Sequence, residues 1–175
     1  MEITRELAYK VLQTVDAGLV SGIGVPEPGR MCVEAAVNYA MGLPHGDNPS
    51  CVGSAVRAFK IALNDAPWSS PQARAKGMRK LAIAQLGSGR IDQVDFANRL
   101  VQEALRVTVP YAESAAEYAA KCAARCAAKY AAESSDEALV LLAGLALDVL
   151  IEMKSPGCQF LFLTDEGLAQ TGIGD

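Results

Sequence analysis

Apolar positions along this chain recur at helical spacing almost throughout. Ile3, Leu7, Val11 and Val15 fall on one line within residues 2–17, with Leu12 beside them. Residues 18–29, with Gly22, Gly24, Pro26 and Pro28, break the pattern and read as a loop. The pattern resumes over about residues 30–41 and stops at Gly42, and residues 43–48 form a turn-rich connection. Asn48-Pro49 has the form of an N-cap followed by a first-turn proline. It predicts a helix carrying Val52, Val56, Phe59 and Leu63 as far as Asn64-Asp65.

Ser70-Pro71 repeats that start signal for a helix reaching Gln85 or Leu86, ahead of Gly87-Ser88-Gly89. Asp92 predicts another N-cap, with Ile91 and Phe96 at the two positions of a hydrophobic staple, and Pro110 interrupts that helix. Over residues 115–132 Ala-Ala pairs recur every four residues. Tyr118, Cys122, Cys126 and Tyr130 lie on one line and Glu117, Lys121, Arg125 and Lys129 on the next. Alanine is the strongest helix former, so this reads as a thin-faced helix, and Cys122 and Cys126 as part of a packing seam. Ser134-Ser135-Asp136-Glu137 is a capping box for an apolar helix to about Met153. Residues 159–163 read as a short strand or extended segment, and residues 164–175 as a flexible tail.

These elements predict an all-α fold: one compact bundle of six to seven helices over residues 1–175. An alanine-rich helical hairpin over 112–154 and a short C-terminal extended segment belong to it. The 175 residues are 51% hydrophobic and 21% charged, and mean hydropathy is +0.16. That excludes a disordered chain and is apolar enough to suggest a buried self-interface, expected as a homodimer across the hairpin. Residues 139–151 are the most apolar stretch. They are too short to span a bilayer and contain Asp148, so no membrane partner is expected. The first residues lack the basic region and apolar run of a signal peptide. Five cysteines, mostly in apolar helical surroundings, suit a reducing cytoplasm better than a disulfide scaffold.

The net charge of −4 conceals a polarity. Residues 57–90 hold seven basic residues (Arg57, Lys60, Arg74, Lys76, Arg79, Lys80, Arg90) against the single acid Asp65, a balance of +6. The remainder holds nine basic and 19 acidic residues, a balance of −10. Lys76, Arg79 and Lys80 share a helix face. With Arg57, Lys60 and Arg74 they form a candidate contact for nucleic acid, a nucleotide or an acidic host protein. Gly87-Ser88-Gly89-Arg90 does not have the pattern of a phosphate-cradling loop, and no segment reads as a recognition helix.

Candidate chemistry gathers around His45, the chain's single histidine. Cys32 follows a Pro-Gly loop at a helix start, where backbone N–H groups favour a thiolate and an oxyanion. Cys32, His45 and Asp47 are therefore the candidate machinery of a cysteine-dependent hydrolase or transferase. Cys32, His45 and Cys51, with Glu34 or Asp47, are the residue types of a zinc site, at a spacing that matches no known zinc knuckle or ribbon. The plainer reading makes Cys32 a small buried side chain, His45 a loop imidazole bonded to backbone, and Asp47 and Asn48 helix caps. The balance of the sequence favours the plainer reading, with no cofactor.

Several runs together resemble an uncharacterised family of small bacterial and phage proteins: Gly-Arg-Met-Cys-Val-Glu-Ala-Ala-Val from Gly29, Leu-Pro-His-Gly-Asp from Leu43, Pro-Ser-Cys-Val from Pro49, Arg-Ala-Phe-Lys-Ile-Ala-Leu-Asn-Asp from Arg57 and Trp-Ser-Ser from Trp68. Ala-Gln-Leu-Gly-Ser from Ala84 and Ser-Pro-Gly-Cys from Ser155 look like the same family. The resemblance covers residues 20–110 and 138–163, with the alanine repeat as a variable insert. It carries no activity and transfers no catalytic residue. It implies a bacterial or phage origin and an accessory role such as countering a host defence. The expected function is thus a non-enzymatic binding protein, a phage-derived regulator or inhibitor of a host system acting on an anionic partner. The cysteine enzyme is the alternative.

Overall fold

In the computed structural model, residues 2–108 and 136–166 are described, with the side chains of 105–108 and 166 left aside. The fold is all-α. Its helices are α1 (Arg5–Asp16), α2 (Val33–Ala40), α3 (Ser54–Asp65), α4 (Pro71–Ala84), α5 (Gln93–Thr108), α6 (Asp136–Glu152) and the single turn α7 (Leu163–Glu166). The alanine repeat with Cys122 and Cys126, and the first arm of the expected hairpin, lie outside the described residues, as do residues 167–175. No helix among the described residues is long and apolar enough to cross a membrane.

Caps decide several boundaries, at Ser70 and Asp92 as expected and at Thr4, which the spacing alone did not single out. Thr4 Oγ1 accepts from the Leu7 N–H at 3.2 Å and Ser70 Oγ from the Ala73 N–H at 3.0 Å. Asp92 Oδ1 accepts from the N–H groups of Val94 and Asp95 at the start of α5. Two starts differ from the pattern. α2 begins at Val33 rather than near residue 30, because Met31 pairs with Gly24 in an isolated antiparallel bridge and holds the chain extended up to Cys32. Gly24 has φ +68°, and a Cβ there would collide with the Arg30 carbonyl, so this close pairing needs glycine.

α3 begins at Ser54, not after Asn48-Pro49. Residues 49–52 form a turn closed by Val52 N–H to Pro49 O, and Cys51 O accepts the Gly89 N–H. The N-cap Gly53 has no side chain to offer. Ser88 Oγ accepts the Gly53 N–H at 3.0 Å and Gln93 Oε1 the Ala55 N–H at 3.1 Å, so the cap comes from a distant segment.

α4 is the central rod. It packs against α1, α2 and α6, while α3 bridges α2 to α5. Val11, Val15, Met78, Leu81, Ile83, Val149 and Leu150 meet in the core. Trp68 closes it over Gly77, where a Cβ would strike the indole, and its Nε1 donates to Leu63 O at 2.9 Å. The C-terminal segment is not extended. Pro156–Phe160 is a 3-10 turn, and Ser155 Oγ donates to Ala84 O at 2.6 Å. The tail expected from residue 164 is ordered at least through α7: Thr164 is buried and its carbonyl accepts from Arg79.

Candidate functional site: a sealed acid–base pair beneath two loops

Cys32 ends the extended segment and caps α2, its Sγ accepting the Ala35 N–H at 3.3 Å. Two residues on, in the first turn of α2, Glu34 points into the protein. Lys60 of α3 meets it with Nζ 3.7 Å from Glu34 Oε1, and both side chains are 0% exposed. Neither carboxylate oxygen, nor the ammonium nitrogen, has a hydrogen-bond partner. Burial pushes the Glu34 carboxyl up, against the pull of Lys60 and Arg57. Burial likewise lowers Lys60 to about 8, with Glu34 opposing. At the margin Arg57 Nη1 stands 3.9 Å from Asp47 Oδ1.

A cavity of about 30 Å³, room for a water or two, lies over Glu34 between the loops and is lined also by Gly22, Ile23, Cys32, Asp47 and Asp65. Asn64 pins its wall: Oδ1 accepts the Val33 N–H at 3.2 Å, and Nδ2 donates to Val20 O and Asp65 Oδ1. Asp65 Oδ1 also accepts the Gly22 N–H at 2.7 Å.

The candidate nucleophile does not have the surroundings of a thiolate. Cys32 is 4% exposed, and burial raises its thiol pKa more than the Ala35 N–H lowers it. His45 is exposed on the loop after α2, and its Nε2 donates to Gly24 O at 3.1 Å, the backbone bond of the plainer reading. Asp47 is engaged by Arg57 rather than by His45 or a helix N-terminus, and Asn48 makes no cap. Cys51 is buried against Met41 Sδ at 3.8 Å, and its thiol is also pushed up by burial. Among the described residues no three His, Cys, Asp or Glu side chains converge on a position that could hold a metal ion. Cys32, His45 and Cys51 are thus not assembled as zinc ligands.

The basic segment does not form one surface. Lys60 is the core partner of Glu34. Arg74 is also buried. Its Nε donates to Asn64 O at 2.7 Å, Nη1 to Leu19 O at 3.0 Å and Nη2 to Ala66 O, tying the end of α3 to the loop after α1. Arg79 forks onto Asp16 and reaches the Thr164 carbonyl, and Lys80 lies 3.4 Å from Asp165. Lys76 and Lys80 remain exposed, one turn apart on α4. The pattern fails here because arginine and lysine also serve as interior brackets, which a linear charge count does not distinguish.

The residues missed by sequence reasoning are Glu34 and Lys60 as a pair. Their signal was phase: Lys60 follows Val56 by four and precedes Leu63 by three, so it sits on the buried line of α3. Away from this site, an open groove of about 550 Å³ runs between α1 and the end of α2. Lys10, Gln13, Thr14, Pro28, Tyr39 and Met41 line it, and Tyr39 is 46% exposed.

The chain matches no protein-family model, no curated protein and no solved structure.

Proposed function

We propose that this protein is a non-enzymatic binding protein that takes an anionic partner in the groove between α1 and α2. The groove carries the reading. Its volume of about 550 Å³ is in the range of ligand-binding clefts, and it combines an exposed ammonium at Lys10 with the half-exposed ring of Tyr39. A cation and an aromatic ring lining one groove suit a nucleotide or a short single-stranded nucleic-acid segment, with phosphate drawn to the lysine and a base to the tyrosine. The groups that a cysteine enzyme would use are buried or occupied elsewhere, which supports binding over catalysis. The resemblance to small bacterial and phage proteins supports a regulatory setting in a bacterial host, with inhibition of a host defence as its specific form.

Fluorescence anisotropy with ATP analogues and a labelled decanucleotide tests this. Lys10→Glu and Tyr39→Ala should each weaken binding about tenfold or more without altering the circular dichroism spectrum, and added salt should weaken it further. No binding of either probe, or unchanged affinity in both variants, would overturn the reading.

A further inference from the structure

Among the described residues three aromatic side chains are exposed, Tyr9 by 54%, Tyr39 by 46% and Phe162 by 47%, and all three border α1. Tyr9 stands on α1 itself. Tyr39 lines the groove together with Lys10 of α1, and Phe162 holds the guanidinium of Arg5 over its ring, 5.5 Å from the centroid. Helical spacing joins these points. Arg5, Tyr9 and Gln13 follow one another at intervals of four on the exposed side of α1, away from the buried Ala8, Val11 and Val15, and Gln13 lines the groove with Lys10. We propose that this track, from Phe162 and Arg5 along α1 to Tyr39, is a platform for single-stranded nucleic acid. The inference rests on the groove reading above and narrows it: the occupant is a strand of about four nucleotides rather than a mononucleotide.

Proteins that hold single strands without sequence preference combine aromatic faces that stack bases with cations that meet phosphates. The exposed rings of the described residues lie on this one track, and it carries a cation towards each end, Arg5 and Lys10. The guanidinium over Phe162 is itself a plane on which a base can stack. From Arg5 to Gln13 the helix rises about 12 Å, which at about 3.4 Å per stacked nucleotide accommodates three to four of them. The Gln13 amide offers both donor and acceptor and can turn to meet the edge of any base, so the track is tolerant of sequence. Two acids share this side of α1. Asp16 is taken by Arg79, and Glu6 is exposed next to Arg5. Two phosphate contacts are therefore the most the track makes, and log affinity should fall with log salt at a slope of about −1.4.

Fluorescence anisotropy of the full chain with labelled thymidine dinucleotide, tetranucleotide and decanucleotide, beside an ATP analogue, tests this. Affinity should rise about tenfold or more from dinucleotide to tetranucleotide and little beyond it. Tyr9→Ala and Phe162→Ala should each weaken tetranucleotide binding about fivefold or more and leave the ATP analogue unaffected, because a mononucleotide engages only Lys10 and Tyr39. Tyr9→Phe and Phe162→Trp should bind as wild type does, since stacking needs the ring alone. These two conservative variants keep the test independent of any folding defect in the alanine variants. An ATP analogue that binds while the tetranucleotide binds no more tightly than the dinucleotide would overturn the track and leave the groove reading standing. So would alanine variants of Tyr9 and Phe162 that hold the tetranucleotide as wild type does. Absence of binding by every probe would overturn both.

Discussion

Glu34 and Lys60, 26 residues apart in sequence and on different helices, meet at 3.7 Å with no water-accessible surface on either side chain. Their mutual attraction is the compensation each has for leaving water, because neither makes a hydrogen bond. Removing one partner strands the other. Lys60→Met and Glu34→Leu are each expected to destabilise the fold by about 3–5 kcal/mol in urea unfolding, whereas the double variant carrying both should lose much less than the sum. Additive losses in the double variant would show that the two residues do not compensate each other.

The same pair makes stability depend on pH in an unusual direction. Lys60 is lowered from 10.5 to about 8, so from pH 8 upward the unfolded chain holds more protons there than the folded one, and stability rises with pH. Glu34 is raised above 4.5 and acts in the opposite sense at lower pH: stability falls as pH climbs from 4.5 through its folded value. From about pH 8 upward the buried thiols, raised from 9.0, oppose the lysine, because they begin to deprotonate in the unfolded chain while staying protonated in the folded one. The lysine is therefore read by difference. Between pH 8 and 9 wild type should gain up to about 1 kcal/mol relative to Lys60→Met, whatever the net slope of either protein. Equal slopes in the two proteins would assign the dependence to other groups.

Thiol chemistry separates a structural from a catalytic Cys32. Burial raises the thiols of Cys32 and Cys51, and takes Cys158 to about 11. At pH 7.5 iodoacetamide should therefore modify none of the three selectively in the folded protein, and all three at free-thiol rates in urea. Peptide mapping after timed quenching reads this directly. Rapid, exclusive labelling of Cys32 would restore the enzyme reading.

Most helices were legible from apolar spacing because α1, α4 and α5 carry their own caps at Thr4, Ser70 and Asp92. The starts of α2 and α3 were not, because tertiary bonds set them: the Gly24–Met31 bridge for one, Ser88 and Gln93 for the other. The C-terminal run looked extended because Phe160, Leu161, Phe162 and Leu163 are consecutive apolar residues, a pattern equally compatible with a tight helical turn against a core. The Glu34–Lys60 pair was half legible. Helical phase placed Lys60 inside, but nothing local to either residue names its partner, which is fixed by how α2 packs on α3.

Arg74 supplies the sharpest contrast between charge as surface and charge as bracket. Its guanidinium joins three backbone carbonyls, of Asn64, Leu19 and Ala66, the last of which also accepts the Trp68 N–H. Hydrogen bonds from a charged donor are worth about 1.5–3 kcal/mol each when their loss leaves buried acceptors unpaired. Arg74→Met should therefore cost about 3 kcal/mol or more. Arg74→Lys should recover only part of it, since one ammonium lacks the fork that reaches three acceptors at once. By contrast Lys76→Met, on the exposed face of the same helix, should change stability by less than about 0.5 kcal/mol. Thermal and urea unfolding of the three variants decides the matter. If Arg74→Met proves as harmless as Lys76→Met, the three carbonyls find water instead and the bracket is not structural.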